Sequence, residues 1–355
     1  MVCEMNTGFI KKILIFSPNW LGDAVMSMPM IYALRESLPG CDITIVSRPG
    51  LVPLWQQNDY SKEIIPFDIF DKTTGVRDYL RLFTKLRGKS FDLAIILPSC
   101  LQWSLISLCA GIRYRIGFSN NTGSLLLSNK LANDRDRKIH IIANYMRIAR
   151  AIGIEGKEYM PQLMISDRYV NFANDFFKTN NIDKQDIVIG LAPAAAYGPA
   201  KRWPEEYFAD LADRLIDSYK AKVIIFGSQF ESDIGCKVSG LMRNAHVNLV
   251  SKTDLMEAAG LINKCSLFIT NDSGLMHIAS ALGVRLIAIF GSTSPLWTGP
   301  CLKKSVILKK DLPCSPCFSR TCHFGSYKCL TSITVEEAFE AAIAQLKNNS
   351  PVGLQ

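Results

Sequence analysis

Phe268-Ile-Thr-Asn-Asp-Ser-Gly-Leu-Met-His277 runs an apolar strand into a small polar turn, then opens an amphipathic helix ending near Leu282-Gly283. That order makes an anion site. The first-turn N–H groups of a helix lack intrahelical partners, and the helix dipole favours negative charge beside them. Ser273 is placed to be the N-cap with a hydroxyl to spare, and Gly274 lets a ligand approach the backbone. Read alone, the segment is equally an ordinary strand-to-helix turn capped by Asp272 or Ser273. The surrounding chain weighs against that plainer reading.

Strand patterns recur at Ile187–Leu191, Lys222–Phe226 and Leu286–Phe290, with helices starting near Pro204, Glu231, Asp254 and Gly274. The first half follows the same alternation. Lys12–Phe16, Asp42–Val46, Glu63–Ile65 and Leu93–Leu97 are strands, and Ala24–Leu38 and Val76–Leu86 are helices. Short apolar runs alternating with helical ones specify βαβ units and parallel sheets. The pattern breaks between Gly153 and Gln162 and then restarts, so the class is α/β with two Rossmann-like domains, 1–160 and 161–335. A helix and tail, 336–355, follow, and the helix is free to pack back on the N-terminal domain. Ligands of open parallel sheets bind beyond the carboxyl ends of the strands. Two such sheets facing one another would wall an interdomain cleft with both sets of loops.

A length of 355 residues suits two cores better than one, and 48% apolar with 20% charged residues describes an ordinary globular protein. The net charge of +8 comes without any Lys/Arg run interleaved with aromatics, which argues against a nucleic-acid surface. Glu4 and two lysines precede a short apolar strand, which is not a secretory signal. The uncharged run Leu93–Ile112 has the length of a membrane span, but Pro98-Ser99, Gln102 and Ser104 break it into buried strand, loop and buried helix. These features predict a cytoplasmic protein with reduced thiols. Seven cysteines (Cys3, Cys41, Cys100, Cys109, Cys236, Cys265 and Cys301) are scattered, mostly in apolar settings. Cys314, Cys317, Cys322 and Cys329 cluster around His323 at a spacing within reach of structural zinc. The second regular Cys-x2-Cys pair is missing, and Pro313 and Pro316 make a turn-rich loop, so free or reversibly oxidised thiols are favoured over a metal.

The remaining loops carry the chemistry. Ser17-Pro-Asn-Trp-Leu-Gly-Asp-Ala24 has only Gly22 where a dinucleotide fingerprint needs three glycines, which disfavours a nicotinamide enzyme. It places Asp23 beyond the first strand, either as a helix cap or as a general base. Lys201 and Arg202 stand just ahead of the Pro204 helix start, where a phosphate is electrostatically favoured. Glu231 follows the next strand as a ribose-binding acid or a first-turn acid complementing the dipole. Gly291-Ser-Thr-Ser-Pro-Leu-Trp-Thr-Gly-Pro300 adds hydroxyls suited to a pyrophosphate.

Together these loops resemble the ADP-heptose:lipopolysaccharide heptosyltransferases, bacterial inverting glycosyltransferases of GT-B architecture. Pro18–Asp23 with Pro29, Tyr197-Gly-Pro-Ala-Lys-Arg-Trp-Pro204, Asn271–His277, and Phe290–Pro295 with Thr298-Gly-Pro300 carry the resemblance. It runs from about Ile13 to Phe339, and the cysteine cluster shares it. Carried over, Asp23 is the base, with Asn19, Trp20 and Gly22 on the acceptor side. Lys201 steadies the departing diphosphate, and Glu231 falls at the ribose acid. Asp272 grips the heptose, and Ser273, Gly274 and Leu275 form the pyrophosphate-binding helix start. Arg202, Thr293 and Thr298 are further phosphate or loop contacts, and His277 either supports the site from one turn on or is a packed, capped histidine. Pro193-Ala194 and Ser294 depart from the family's usual Pro-Gly and Asp.

The resemblance implies transfer of L-glycero-D-manno-heptose from ADP-heptose to the first heptose of the lipopolysaccharide inner core, with no cofactor or divalent metal and no nucleic acid partner. It leaves open a sibling transferase with another core acceptor, or a nucleotide-sugar-binding protein without turnover. An anionic, membrane-embedded acceptor implies peripheral contact with the cytoplasmic face of the inner membrane through Arg48, Arg77, Arg81, Arg113, Arg115 and Lys130.

Overall fold

The computed structural model describes residues 9–347, apart from 70, 72, 99, 120–121, 135–136, 156–158 and 303. Cys3, Glu4, Ser99 and the tail beyond 347 lie outside the described residues. The chain divides into two compact units, Met1–Pro161 and Gln162–Gln355.

The first unit contains β1 (Lys12–Phe16), α1 (Leu21–Ser37), β2 (Asp42–Ser47), α2 (Val52–Trp55), β3 (Glu63–Pro66) and α3 (Val76–Arg87). It continues with β4 (Leu93–Ile96), α4 (Leu101–Cys109), β5 (Tyr114–Phe118), β6 (Asn129–Leu131) and α5 (Ile141–Ala151). Its six strands are parallel in the order β3-β2-β1-β4-β5-β6. The second unit contains α6 (Asp167–Thr179), β7 (Val188–Ala192), α7 (Glu205–Tyr219), β8 (Lys222–Ile225), α8 (Ser232–Leu241) and β9 (Val247–Asn248). Then come α9 (Leu255–Ile262), β10 (Leu267–Asn271), α10 (Gly274–Ala281), β11 (Leu286–Phe290), α11 (Pro295–Thr298), β12 (Ser305–Lys309), α12 (Lys328–Thr331) and α13 (Val335–Lys347). Its strands are also parallel, in the order β12-β11-β10-β7-β8-β9. Counted from its own first strand, this is the order of the first sheet, so both units share the Rossmann arrangement. The chain changes direction across each sheet between β1 and β4 and between β7 and β10. Ligands of such sheets bind beyond the carboxyl ends at that switch point.

The central strands β7, β10 and β11 are buried at every residue, which suits strands covered by helices on both faces. The edge strands β9 and β12 are only partly buried, and β9 has two residues, so neither announces itself as a continuous apolar run.

Ala338, Ala342 and Leu346 of α13 share one core with Phe208, Leu211 and Leu215 of α7. One expectation is corrected here. The helix of the uncharged run is not buried all round. Trp103 and Ile106 of α4 point into the core, while Leu101, Leu105 and Leu108 are exposed. Among the described residues no helix is long and apolar enough to cross a membrane.

Candidate active site

The strongest constellation lies at the β7/β10 switch point. β10 ends at Asn271, Asp272 and Ser273 follow, and Gly274 opens α10. Asn271 pins the loop after β7 at both ends. Its Nδ2 donates to Pro193 O at 2.6 Å, and its Oδ1 accepts from the backbone N–H of Trp203 at 3.0 Å. The indole of Trp203 is wholly buried and donates to Ile333 O at 2.8 Å, anchoring the far end of that loop.

Held in this way, the loop brings Lys201 to Asp272. Lys201 Nζ lies 2.5 Å from Asp272 Oδ2, and the Thr293 hydroxyl donates to the same oxygen at 2.6 Å. The pair is buried, with side-chain exposures of 13% and 3%. Buried ion pairs offset their desolvation only when further hydrogen bonds satisfy them, and Thr293 supplies one. The Lys201 ammonium also sits 4.8 Å from the centre of the Tyr197 ring, which favours the cation electrostatically.

Ser273 is the N-cap of α10, but its side chain makes no capping bond; its Oγ lies 3.2 Å from Thr270 Oγ1. Ser292 and Thr298 are buried with hydroxyl oxygens that have no partner among the described residues. Arg202 Nε donates to Ala195 O at 3.2 Å, so that guanidinium is partly committed to its own loop. Glu231 Oε2 accepts from the N–H and the hydroxyl of Ser228 at 2.9 and 2.8 Å, a local cap after β8. His277 is buried within α10. Leu275 is partly exposed in the first turn of that helix. The Ser294 turn is closed by backbone bonds from Trp297 and Thr298 to Ser294 O.

The cysteine-rich segment straps the two loops together. Ala200 N donates to Arg320 O, Phe318 N donates to Ser292 O, and the Tyr197 hydroxyl donates to Phe318 O. Gly198 has φ +149°, and a Cβ there would lie 2.6 Å from Arg320 O. Gly198→Ala should therefore lower the unfolding free energy by about 1–3 kcal/mol. An unchanged denaturation midpoint would show that strap and loop are not joined there. Cys314, Cys317, Cys322 and Cys329 all line one cavity of about 340 Å³ with Ala200 and Ser292, and all four are free thiols. Among the described residues no group of three or more His, Cys, Asp or Glu is disposed to hold a metal ion. Backbone N–H groups of Tyr327, Phe324, Ser326 and Gly325 hold the Cys322 thiol below its ordinary range, against the opposing effect of desolvation. Of the scattered cysteines, Cys41 and Cys265 are buried, but Cys109 and Cys236 are exposed rather than apolar-packed.

In the first unit, Asp23 lies in the first turn of α1, beyond the end of β1, partly buried. Its Oδ1 accepts from the Tyr145 hydroxyl of α5 at 3.4 Å. Burial first, and the Asp23 charge second, push the Tyr145 phenol well above its ordinary value, so it remains a donor. Trp20, the N-cap of α1, is 53% exposed, and Asn19 and Gly22 beside it are partly exposed. Tyr145 is not singled out by the sequence, and Tyr197 and Asn271 enter there only as parts of motifs, with no role of their own. Tyr145 is 122 residues from Asp23 and has no local signal, whereas Asn271 at a strand end was a visible cue.

Two parallel sheets in this order, with polar loops gathered beyond the carboxyl ends of the strands, are the ground plan of a GT-B glycosyltransferase. The family model for glycosyltransferase family 9 (heptosyltransferase) matches residues 79–328, and the chain belongs to that family. It is 32% identical to lipooligosaccharide heptosyltransferase 2 of Haemophilus influenzae, over 84% of this chain and 88% of that protein. The solved ADP-heptose lps heptosyltransferase II of E. coli superposes with a TM-score of 0.82 at 29% identity, covering 95% of this chain and 99% of the other. A family 9 glycosyl transferase from Veillonella parvula gives 0.87 at 25% identity, covering 96% and 98%. The protein is a heptosyltransferase of lipopolysaccharide core biosynthesis.

Proposed function

We propose that this enzyme is a heptosyltransferase II, moving L-glycero-D-manno-heptose from ADP-heptose to the first heptose of the lipopolysaccharide inner core with inversion. The contact between Lys201 and Asp272, buried above the α10 N-terminus, carries the donor half of this reading. The acceptor half is supported by relatives near 30% identity that bear the heptosyltransferase 2 name, and by Tyr197–Pro204.

Asp23 takes the proton of the acceptor hydroxyl as its oxygen bonds to the anomeric carbon. The bond from that carbon to the phosphate oxygen breaks on the opposite face, and ADP leaves with the electron pair. Lys201, with the α10 start at Ser273, Gly274 and Leu275, meets the charge growing on the diphosphate, where preorganised donors act most strongly. Asp272 holds heptose hydroxyls, and Glu231 holds the ribose through the oxygen that Ser228 does not use. Arg202, Thr293 and Thr298 complete the donor loops, while His277, buried within α10, supports them from one turn on. Asn19, Trp20 and Gly22 face the acceptor. The scheme uses no metal and places the enzyme in the cytoplasm, touching the inner membrane.

The test is ADP release from ADP-heptose with inner-core acceptors carrying zero, one or two heptoses. Turnover confined to the one-heptose acceptor is the expected result. Turnover on another acceptor would retain the mechanism and overturn the acceptor assignment. Donor binding without transfer to any of them would leave a nucleotide-sugar-binding protein.

A further inference from the structure

The first unit covers one face of its sheet with α3 and α4, whose Leu82, Leu86, Trp103 and Ile106 share a core with Phe16 and Ile96. The outer side of that layer is unusually apolar. Val76 and Leu80 of α3 and Leu101, Leu105 and Leu108 of α4 are exposed, and Leu125, in the turn packed on α4, is 73% exposed. The three α4 leucines follow i, i+4, i+7 spacing and form one stripe on a helix that carries no charge.

The segment that carries the stripe is rich in cations. Between Val76 and Leu131 there are eight Lys and Arg against two Asp, a surplus of six in a chain whose net charge is +8. Some of these are already committed. Arg115 is spent on the carbonyls of Ile112, Arg113 and Leu126, and Lys85 and Lys89 pair with Glu63. Arg48, another expected membrane contact, pairs with Asp68 at 2.8 Å. Arg77, Arg87, Arg113 and Lys130 remain exposed. Leucines that enter the acyl boundary, with exposed cations on the same segment to meet headgroups, are the chemistry of an interfacial surface.

We propose that the outer face of the α3–α4 layer docks on an anionic phospholipid bilayer. This rests on the reading of the acceptor as a lipid-anchored saccharide, which such docking brings to the unit that carries Asp23.

The experiment is co-sedimentation of the full chain with phosphatidylcholine vesicles, with and without phosphatidylglycerol, at low and high salt. Wild type should partition onto the anionic vesicles and be released by salt. Leu105→Asp with Leu108→Asp should weaken partitioning by more than about tenfold. Arg113→Glu, which leaves the apolar stripe intact, should weaken it about fivefold or more. Circular dichroism confirms that each variant is folded. With the acceptor in vesicles kcat/KM should fall in parallel, while a deacylated, soluble acceptor should be used at the wild-type rate. Unaltered vesicle binding by folded variants overturns the proposal. So does a concentration-dependent dimer that the leucine substitutions disperse, since the stripe would then belong to a second copy. Vesicle binding is read without turnover, so a failure of the heptosyl-transfer assignment shows separately.

Discussion

Replacing Asp23 with Asn should lower kcat by about 10²–10⁴-fold while leaving the affinity for ADP-heptose close to wild type, the usual range for losing a positioned general base. The substitution is chosen for what it preserves. An amide oxygen still accepts the Tyr145 hydroxyl, and the side chain still fits the first turn of α1. Proton acceptance alone is lost. The carboxylate stands in the first turn of α1, where the helix dipole favours negative charge, beyond the end of β1. Tyr145→Phe offers the contrast, because it removes only one long hydrogen bond and should stay within about tenfold of wild type. Single-turnover transfer and calorimetric donor titration check both statements. If Asp23→Asn retains more than a tenth of the wild-type kcat, the proton leaves by another route.

The contrast between Asp23 and Tyr145 also marks how far the sequence could be read. Asp272 directly follows an apolar strand, and Asp23 and Lys201 lie in the strand-to-helix stretches after β1 and β7, so local pattern alone locates them beyond a carboxyl end. What local pattern could not supply is which of them meet. Lys201 and Asp272 touch because Asn271 and Trp203 fix the loop after β7, and those bonds join residues 68 to 130 positions apart. The fold divides in the same way. Strands buried on both faces declare themselves as apolar runs, whereas β6 and β9 are three and two residues at sheet edges and take their conformation from a neighbour. Glu231 is a further case: its two readings, first-turn acid and ribose ligand, were both open, and the bonds from Ser228 add a local cap without removing the second oxygen from use. The exposed α4 stripe was hidden for a different reason. An uncharged run cannot report which of its faces is covered until its partners are known.

Lys201→Met should reduce kcat/KM by roughly 10²–10³-fold, and it should also destabilise the protein by about 3–5 kcal/mol, because removing one partner strands a buried charge. The two effects have different origins. In the free enzyme the ammonium neutralises Asp272, whose side chain is only 3% exposed and whose other close partner on the same oxygen is the Thr293 hydroxyl. Without Lys201 a bare carboxylate faces the incoming diphosphate, so donor affinity falls through repulsion before any chemistry occurs. During transfer the same ammonium faces charge developing on the leaving oxygen, and its loss there lowers kcat. The double variant Lys201→Met/Asp272→Asn separates them. Cancelling both charges should recover most of the stability and part of the donor affinity, since contacting residues of this kind are strongly non-additive. The chemical step should stay slow, because nothing replaces the cation at the diphosphate and the heptose has lost its carboxylate. Recovery of kcat in the double variant would mean that Lys201 serves only to balance Asp272, and the leaving group would then be stabilised by the α10 N-terminus alone.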